Sequence, residues 1–171
     1  MGFFDKVLGR KEEVLDKGWQ ACEKAAFGFR FSCPSQWVVT DIDGGIELSP
    51  PAAARVPDVV RGKETSSPGV TINVSDLRDP GPTAVKDTVK TRSTEFPEYR
   101  FVKHISSSVR NADKAAVYEF QYGSGENAFS AISAIAFAKN KLFILTACGR
   151  RKDFDQSRDT LEKIVAGFQM I

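Results

Sequence analysis

Apolar positions along this chain change period several times, and each change marks an element. Over residues 1–24, Phe3, Phe4, Val7 and Leu8, then Val14, Leu15, Trp19 and Cys22, recur at spacings of three and four with charges between them. That spacing predicts an amphipathic helical extension, loosened at Gly9 and Gly18. Phe27, Phe29 and Phe31 then alternate with Gly28, Arg30 and Ser32, which predicts a strand with one aromatic face. Cys33-Pro34-Ser35 breaks it, Trp37–Thr40 begins a second strand, and Asp43-Gly44-Gly45 turns the chain into a third at Ile46–Leu48. Residues 49–68 hold Pro50, Pro51, Pro57 and Pro68 with no usable period, and are expected to form a long mobile loop.

Alternation returns at Val70, Ile72 and Val74. Thr83 is a candidate N-cap for a helix reaching about Phe96, with Val85, Val89 and Phe96 inward and Pro97 ending it. Strands are predicted over 99–106, 115–122 and 128–138. The strand at 128–138 carries Ala128, Ser130, Ala134, Ala136 and Ala138 on one face, with Ile132 its only large member there, so another element can approach closely. Leu142–Cys148 is apolar on both faces, as a central strand covered from both sides would be. Asp153 with Gln156 three residues later has a capping-box pattern, and Phe154, Ser157, Leu161, Ile164, Val165 and Phe168 line one side of the closing helix.

These elements predict an α+β domain: an antiparallel sheet of about seven strands, connected mostly as hairpins and covered by helices on both faces, an α/β/α sandwich. The expected organisation is an N-terminal helical extension over 1–24 and one domain over 25–171. The chain has 171 residues, enough for one real core, and 42% hydrophobic and 27% charged residues, as soluble globular proteins have.

Charge and chemistry narrow the function. A net charge of +2 and the lack of a long basic stripe argue against nucleic-acid binding. No apolar run is long enough to span a bilayer, and the first ten residues do not resemble a secretory signal. Balanced charges over 1–24 remove the basic face that peripheral membrane contact would use. The three cysteines, Cys22, Cys33 and Cys148, lack Cys-x-x-Cys spacing, which points to a reducing compartment and a cytoplasmic location. With His104 as the one histidine, no metal site of His/Cys type is expected. The carboxylate pairs Asp41 with Asp43 and Asp76 with Asp79 sit at turns, where Asp serves backbone hydrogen bonding. Cys33 and Cys148 lack a local activating group. The expectation is no enzyme and no cofactor.

The glycine-rich run 123–127 joins two strands rather than a strand and a helix, so it is expected to be a hairpin turn rather than a phosphate loop. Two surfaces remain as candidates for a partner. Arg150, Arg151 and Lys152 precede a helix, adding three cations to an amide-rich N-terminus. Phe3, Phe4, Leu8 and Trp19 make an apolar stripe if residues 1–24 do not cover their own domain.

Several segments together carry a resemblance: Phe29–Trp37, Val70–Val74, Ala116–Tyr122, Lys141–Ala147 and the closing helix Phe154–Phe168. Their order resembles the PsbP family over roughly residues 25–170, including the branch that binds the GTPase Ran (the Mog branch) and bacterial assembly or chaperone members. The resemblance implies the α/β/α sandwich, no enzymatic activity and a role in binding other proteins; it assigns no site residue. The expected function is a non-catalytic protein-interaction or assembly module. The alternatives are a carrier or chaperone holding an apolar ligand or hydrophobic helix, a Ran-type GTPase binder, and, behind both, a cryptic enzyme.

Overall fold

The computed structural model describes residues 15–58, 60, 62–77, 83–106 and 108–171. Among these residues twelve strands, two α-helices and one short 3-10 turn (Gly125–Asn127) follow in chain order. The first half holds β1 (Trp19–Lys24), β2 (Phe29–Pro34), β3 (Val38–Ile42), β4 (Gly45–Ser49), β5 (Ala54–Asp58), β6 (Lys63–Ser67) and β7 (Gly69–Asp76). The second half holds α1 (Ala84–Glu95), β8 (Arg100–Ser106), β9 (Lys114–Tyr122), β10 (Phe129–Ala138), β11 (Lys141–Arg150), α2 (Arg151–Gly167) and β12 (Gln169–Met170).

The main sheet is antiparallel with seven strands in the order β3-β4-β7-β11-β10-β9-β8. β11 lies at its centre, and its two-sided apolar pattern has the anticipated cause. Phe143, Leu145 and Ala147 face one core with Ile46, Leu48, Val70, Ile72, Ile132 and Ala134. Leu142, with Ile144 and Cys148, faces a second core built from Val85, Phe96, Tyr118, Phe120, Tyr122, Phe129 and Ile135. α2 covers the first face through Phe154, Leu161, Ile164 and Val165, and α1 covers the second through Val85. The sandwich with helices on both faces is therefore the fold, as expected from the pattern.

Four local expectations are corrected. The aromatic strand β2 is not in the main sheet; it pairs with β1 and β12 in a separate three-stranded sheet. Its Phe29, Phe31 and Cys33 close the α2 side of the core, with the Phe29 ring 5.7 Å from that of Phe168 and 6.3 Å from that of Phe143. The expected helix over 1–24 fails at Trp19–Lys24, which is strand β1, because pairing with β2 satisfies its backbone; residues 1–14 lie outside the described residues. Residues 49–68 are not a featureless loop, since β5 and β6 form a hairpin with Val56 buried. Arg55 holds that hairpin to Glu47 of β4 at 2.7 Å and also donates to Ser66 of β6 at 2.8 Å. Finally, α2 starts at Arg151, so Asp153 is inside the first turn rather than at the cap, and it accepts a hydrogen bond from Ser67 Oγ at 2.7 Å.

One buried ion pair fixes α2 to the sheet. Glu119 of β9 is almost fully enclosed, and Arg158 of α2 reaches both its oxygens, at 2.9 and 3.1 Å. The Arg158 guanidinium also lies over the Phe154 ring, 4.9 Å from its centroid. Hydrogen bonding to Glu119 pushes the Arg158 pKa up, so the cation persists at any working pH.

Candidate functional site

The β11–α2 junction is a turn without a spacer. Arg150 ends the strand and Arg151 opens the helix. Three backbone contacts hold this turn. The Arg150 N–H donates to Ser67 Oγ at 2.9 Å, the Arg151 N–H donates to the Ala128 carbonyl at 3.1 Å, and Gly149 fits closely against Pro68. A Cβ at Gly149 would stand 3.2 Å from the Pro68 Cα, so glycine lets the strand lie against residues 67–68. Ser67 is itself buried, which closes it to modification from solvent.

Facing this turn is the β9–β10 connection, Gly123–Asn127. Gly123 has φ +68°, and a Cβ there would meet the Asn127 carbonyl oxygen at 2.2 Å, so only glycine makes the bend. The Gly123 N–H donates to the Pro97 carbonyl at 2.8 Å, and Ser124 Oγ donates to Glu98 at 3.0 Å. Arg100, at the start of β8, forms the third wall and donates to Gln121 Oε1 at 2.6 Å. Between these walls lies a cleft of about 930 Å³.

Its lining cations are Arg100, Arg150, Arg151 and Lys152, against Glu98 and Glu126. Among the described residues no carboxylate forms an ion pair with Arg150, Arg151 or Lys152. The Arg150 Nε is buried without a hydrogen-bond partner there. α2 adds the positive end of its dipole, partly offset by Asp153 in the first turn. Such a cleft suits a carboxylate or phosphate group; its lining holds no histidine or cysteine that would serve proton transfer or nucleophilic attack.

The three basic candidates are thus brought together in one cleft. The apolar candidates are not. Phe3, Phe4 and Leu8 lie outside the described residues. Trp19 is half-buried against its own domain, with Lys163 Nζ 4.2 Å above its ring, beside an ion pair between Lys163 and Asp16. Of the carboxylate pairs at turns, Asp41 is engaged by Lys24 at 2.6 Å, and Asp79 lies outside the described residues. Cys33 is buried with its Sγ 3.7 Å from that of Cys22, and burial, with Cys22 adding to it, pushes its pKa up to about 12. It is a thiol rather than a nucleophilic thiolate at neutral pH. Among the described residues no group of three His, Cys, Asp or Glu side chains could hold a metal ion, and no helix is long and apolar enough to cross a membrane.

The pattern reading missed that the glycine turn and the basic turn share a cleft, although counting could have found it. The tight β10–β11 turn at Lys139-Asn140 pairs Ala138 with Lys141, and the register then carries Phe129 opposite Arg150. The residues just outside that pair, Ala128 and Arg151, must therefore be neighbours.

The family model for PsbP matches residues 17–170, nearly the whole chain. The chain belongs to the PsbP family. This PsbP-family chain is similar in fold to the solution structure of cyanobacterial PsbP (CyanoP) from Synechocystis sp. PCC 6803. The TM-score is 0.58 at 15% identity, over 96% of this chain and 99% of that one. It is similar also to LpqN, described as involved in cell envelope biogenesis of Mycobacterium tuberculosis, with TM-score 0.57 and 13% identity over 89% of this chain and 90% of that one. A third similar structure, from Bacteroides thetaiotaomicron VPI-5482, has TM-score 0.53 and 14% identity over 87% of this chain but 47% of its own. No curated protein sequence matches the chain. Identities this low establish the shared fold alone. The family match begins at residue 17, and β1, paired with β2, lies within it.

Proposed function

We propose that this PsbP-family chain is a non-catalytic protein-interaction module that receives an acidic segment of a partner protein in the cleft at the β11–α2 junction. The observation that carries this reading is the meeting of Arg150, Arg151 and Lys152, unpaired among the described residues, with the glycine turn across one cleft. Arg151 and Lys152 are exposed, so their charge is open to a partner. A cytoplasmic location and a role in assembly belong to the same proposal.

The test is the double variant R150E/R151E against a fluorescein-labelled Glu-rich peptide, read by anisotropy in low and moderate salt. Ion pairs made by an exposed and a half-buried arginine contribute roughly 0.2–1 kcal/mol each or somewhat more. Losing them and adding repulsion weakens binding about tenfold, with the thermal unfolding curve little changed. Equal affinity of the variant and the unmodified chain removes the basic turn as the docking element.

One observation favours the carrier alternative. A groove of about 470 Å³ between α2 and the far end of β8 has an apolar part formed by Ile105, Val109, Val117, Ile132, Val165 and Phe168, with Lys103, Arg110 and Glu162 also lining it. Uptake of one oleate per chain, measured by native mass spectrometry and blind to R150E/R151E, is the result that would favour it.

A further inference from the structure

We propose that the groove between α1 and the β8–β9 edge of the sheet is a docking site for an acidic amphipathic helix of a protein partner. It is a different surface from the basic turn, so either proposal can fail alone.

The groove measures about 800 Å³. Its floor is apolar and mostly small: Val85 and Val89, one turn apart on α1, with Ala115 and Ala116 on β9. Among the described residues the charges on its rim are lysines. Lys86 and Lys90 stand one turn apart on α1, while His104 of β8 and Lys114 of β9 stand on the opposite wall, and among the described residues no carboxylate lines it. Asp87, the acid between the two α1 lysines, accepts a hydrogen bond from Thr83 Oγ1 at 2.7 Å. Neither Lys86 nor Lys90 is ion-paired with a described residue.

An apolar floor beside the Lys86–Lys90 wall calls for an occupant with an apolar stripe flanked by carboxylates. α1 has 12 residues, so its wall is about 18 Å long at about 1.5 Å per residue, the length of a three-turn helix. Ala116, whose side chain lies on the α1 face of the sheet, lets a partner's Leu or Met side chain reach the sheet there, the helix-in-groove mode of recognition. The groove is open to solvent along its length, whereas a free lipid chain needs most of its surface enclosed. A second copy meeting this groove about a twofold axis would set Lys86 and Lys90 against their own equivalents.

The probe is a labelled 18-residue synthetic helix with Leu at i, i+3, i+4 and i+7 and Glu on the flanks, with a control that carries Lys in place of each Glu. The full chain is expected to bind the Glu helix and not the Lys helix. K86E/K90E, at two exposed positions of α1, is expected to weaken that binding at least tenfold, and by more than R150E/R151E does. Four results overturn the proposal: equal binding of both helices; full affinity in K86E/K90E; oleate, rather than the Glu helix, binding in a manner lost in K86E/K90E; or a sedimenting dimer that K86E/K90E dissolves. The V89S variant, tested beside them, should weaken the Glu helix through the floor alone.

Discussion

Replacing Arg158 by Met tests how α2 is held to the sheet. Met keeps much of the side chain's length and can still lie over the Phe154 ring, but it removes both hydrogen bonds to Glu119. The Glu119 side chain is 4% exposed, so a carboxylate stripped of its partner cannot recover water without disturbing β9. Breaking a buried pair in this way typically costs about 3–5 kcal/mol. Two features lower the value here. Arg158 is 33% exposed, and Lys103 Nζ already stands 3.7 Å from Glu119 and is free to move closer. The expected loss is about 2–4 kcal/mol, which for a domain of this size is a fall of roughly 5–15 °C in Tm.

Urea unfolding followed by circular dichroism at neutral pH measures it, with E119M/R158M as the control. Replacing both partners by apolar groups removes the buried charge, so the double variant should lie within about 1 kcal/mol of the original chain. A loss below about 1 kcal/mol in R158M, or a double variant as unstable as the two single changes summed, refutes the assignment of Glu119 as a desolvated charge that depends on Arg158.

Two further outcomes follow from buried groups. The Tyr118 hydroxyl is buried without a hydrogen-bond partner among the described residues, so Y118F should leave stability unchanged or raise it by up to about 1 kcal/mol in the same unfolding assay; a loss above that would mean the hydroxyl is satisfied. With its pKa pushed up to about 12, Cys33 should react with iodoacetamide in the folded chain at pH 8 about a thousandfold more slowly than an ordinary exposed thiol. Peptide mapping showing Cys33 labelled as fast as Cys22 would contradict that.

The parts of the fold that could be read from the chain are those where one periodicity has no competitor. β11 announces its central place because both faces are apolar, and α2 because Phe154, Leu161, Ile164 and Val165 keep one helical face over several turns. The misreadings have separate causes. In β1, Trp19 and Cys22 are spaced by three and fit a helix, and only pairing with β2 decides for a strand. In β5, Pro57 and the prolines before it hide the alternation, although its partners reach across to β4 through Arg55. The capping box at Asp153 and Gln156 has the right spacing, but β11 continues to Arg150 and leaves no residue for a separate cap. Of the site, the basic wall was visible in Arg150–Lys152. Its facing wall was not, because Gly123–Asn127 acquires meaning only from the β9–β10–β11 register.

Charge distribution, more than charge total, makes the two proposed surfaces specific. The chain's net charge is only +2, so no long-range field draws polyanions to it. Within that near-neutral whole, cations gather at the cleft around Arg150 and at the groove around Lys86, while the outer side of α2 carries Asp155, Asp159 and Glu162. Locally separated charge acts within about a Debye length, roughly 8 Å at physiological salt. A partner must therefore already be in register before these cations attract it. That favours a shaped acidic protein surface over a nucleic acid, whose affinity grows with each phosphate along a continuous basic track. It also requires the affinities at both surfaces to fall with salt, yet less steeply than a polyanion's would, because each surface offers only three or four cations.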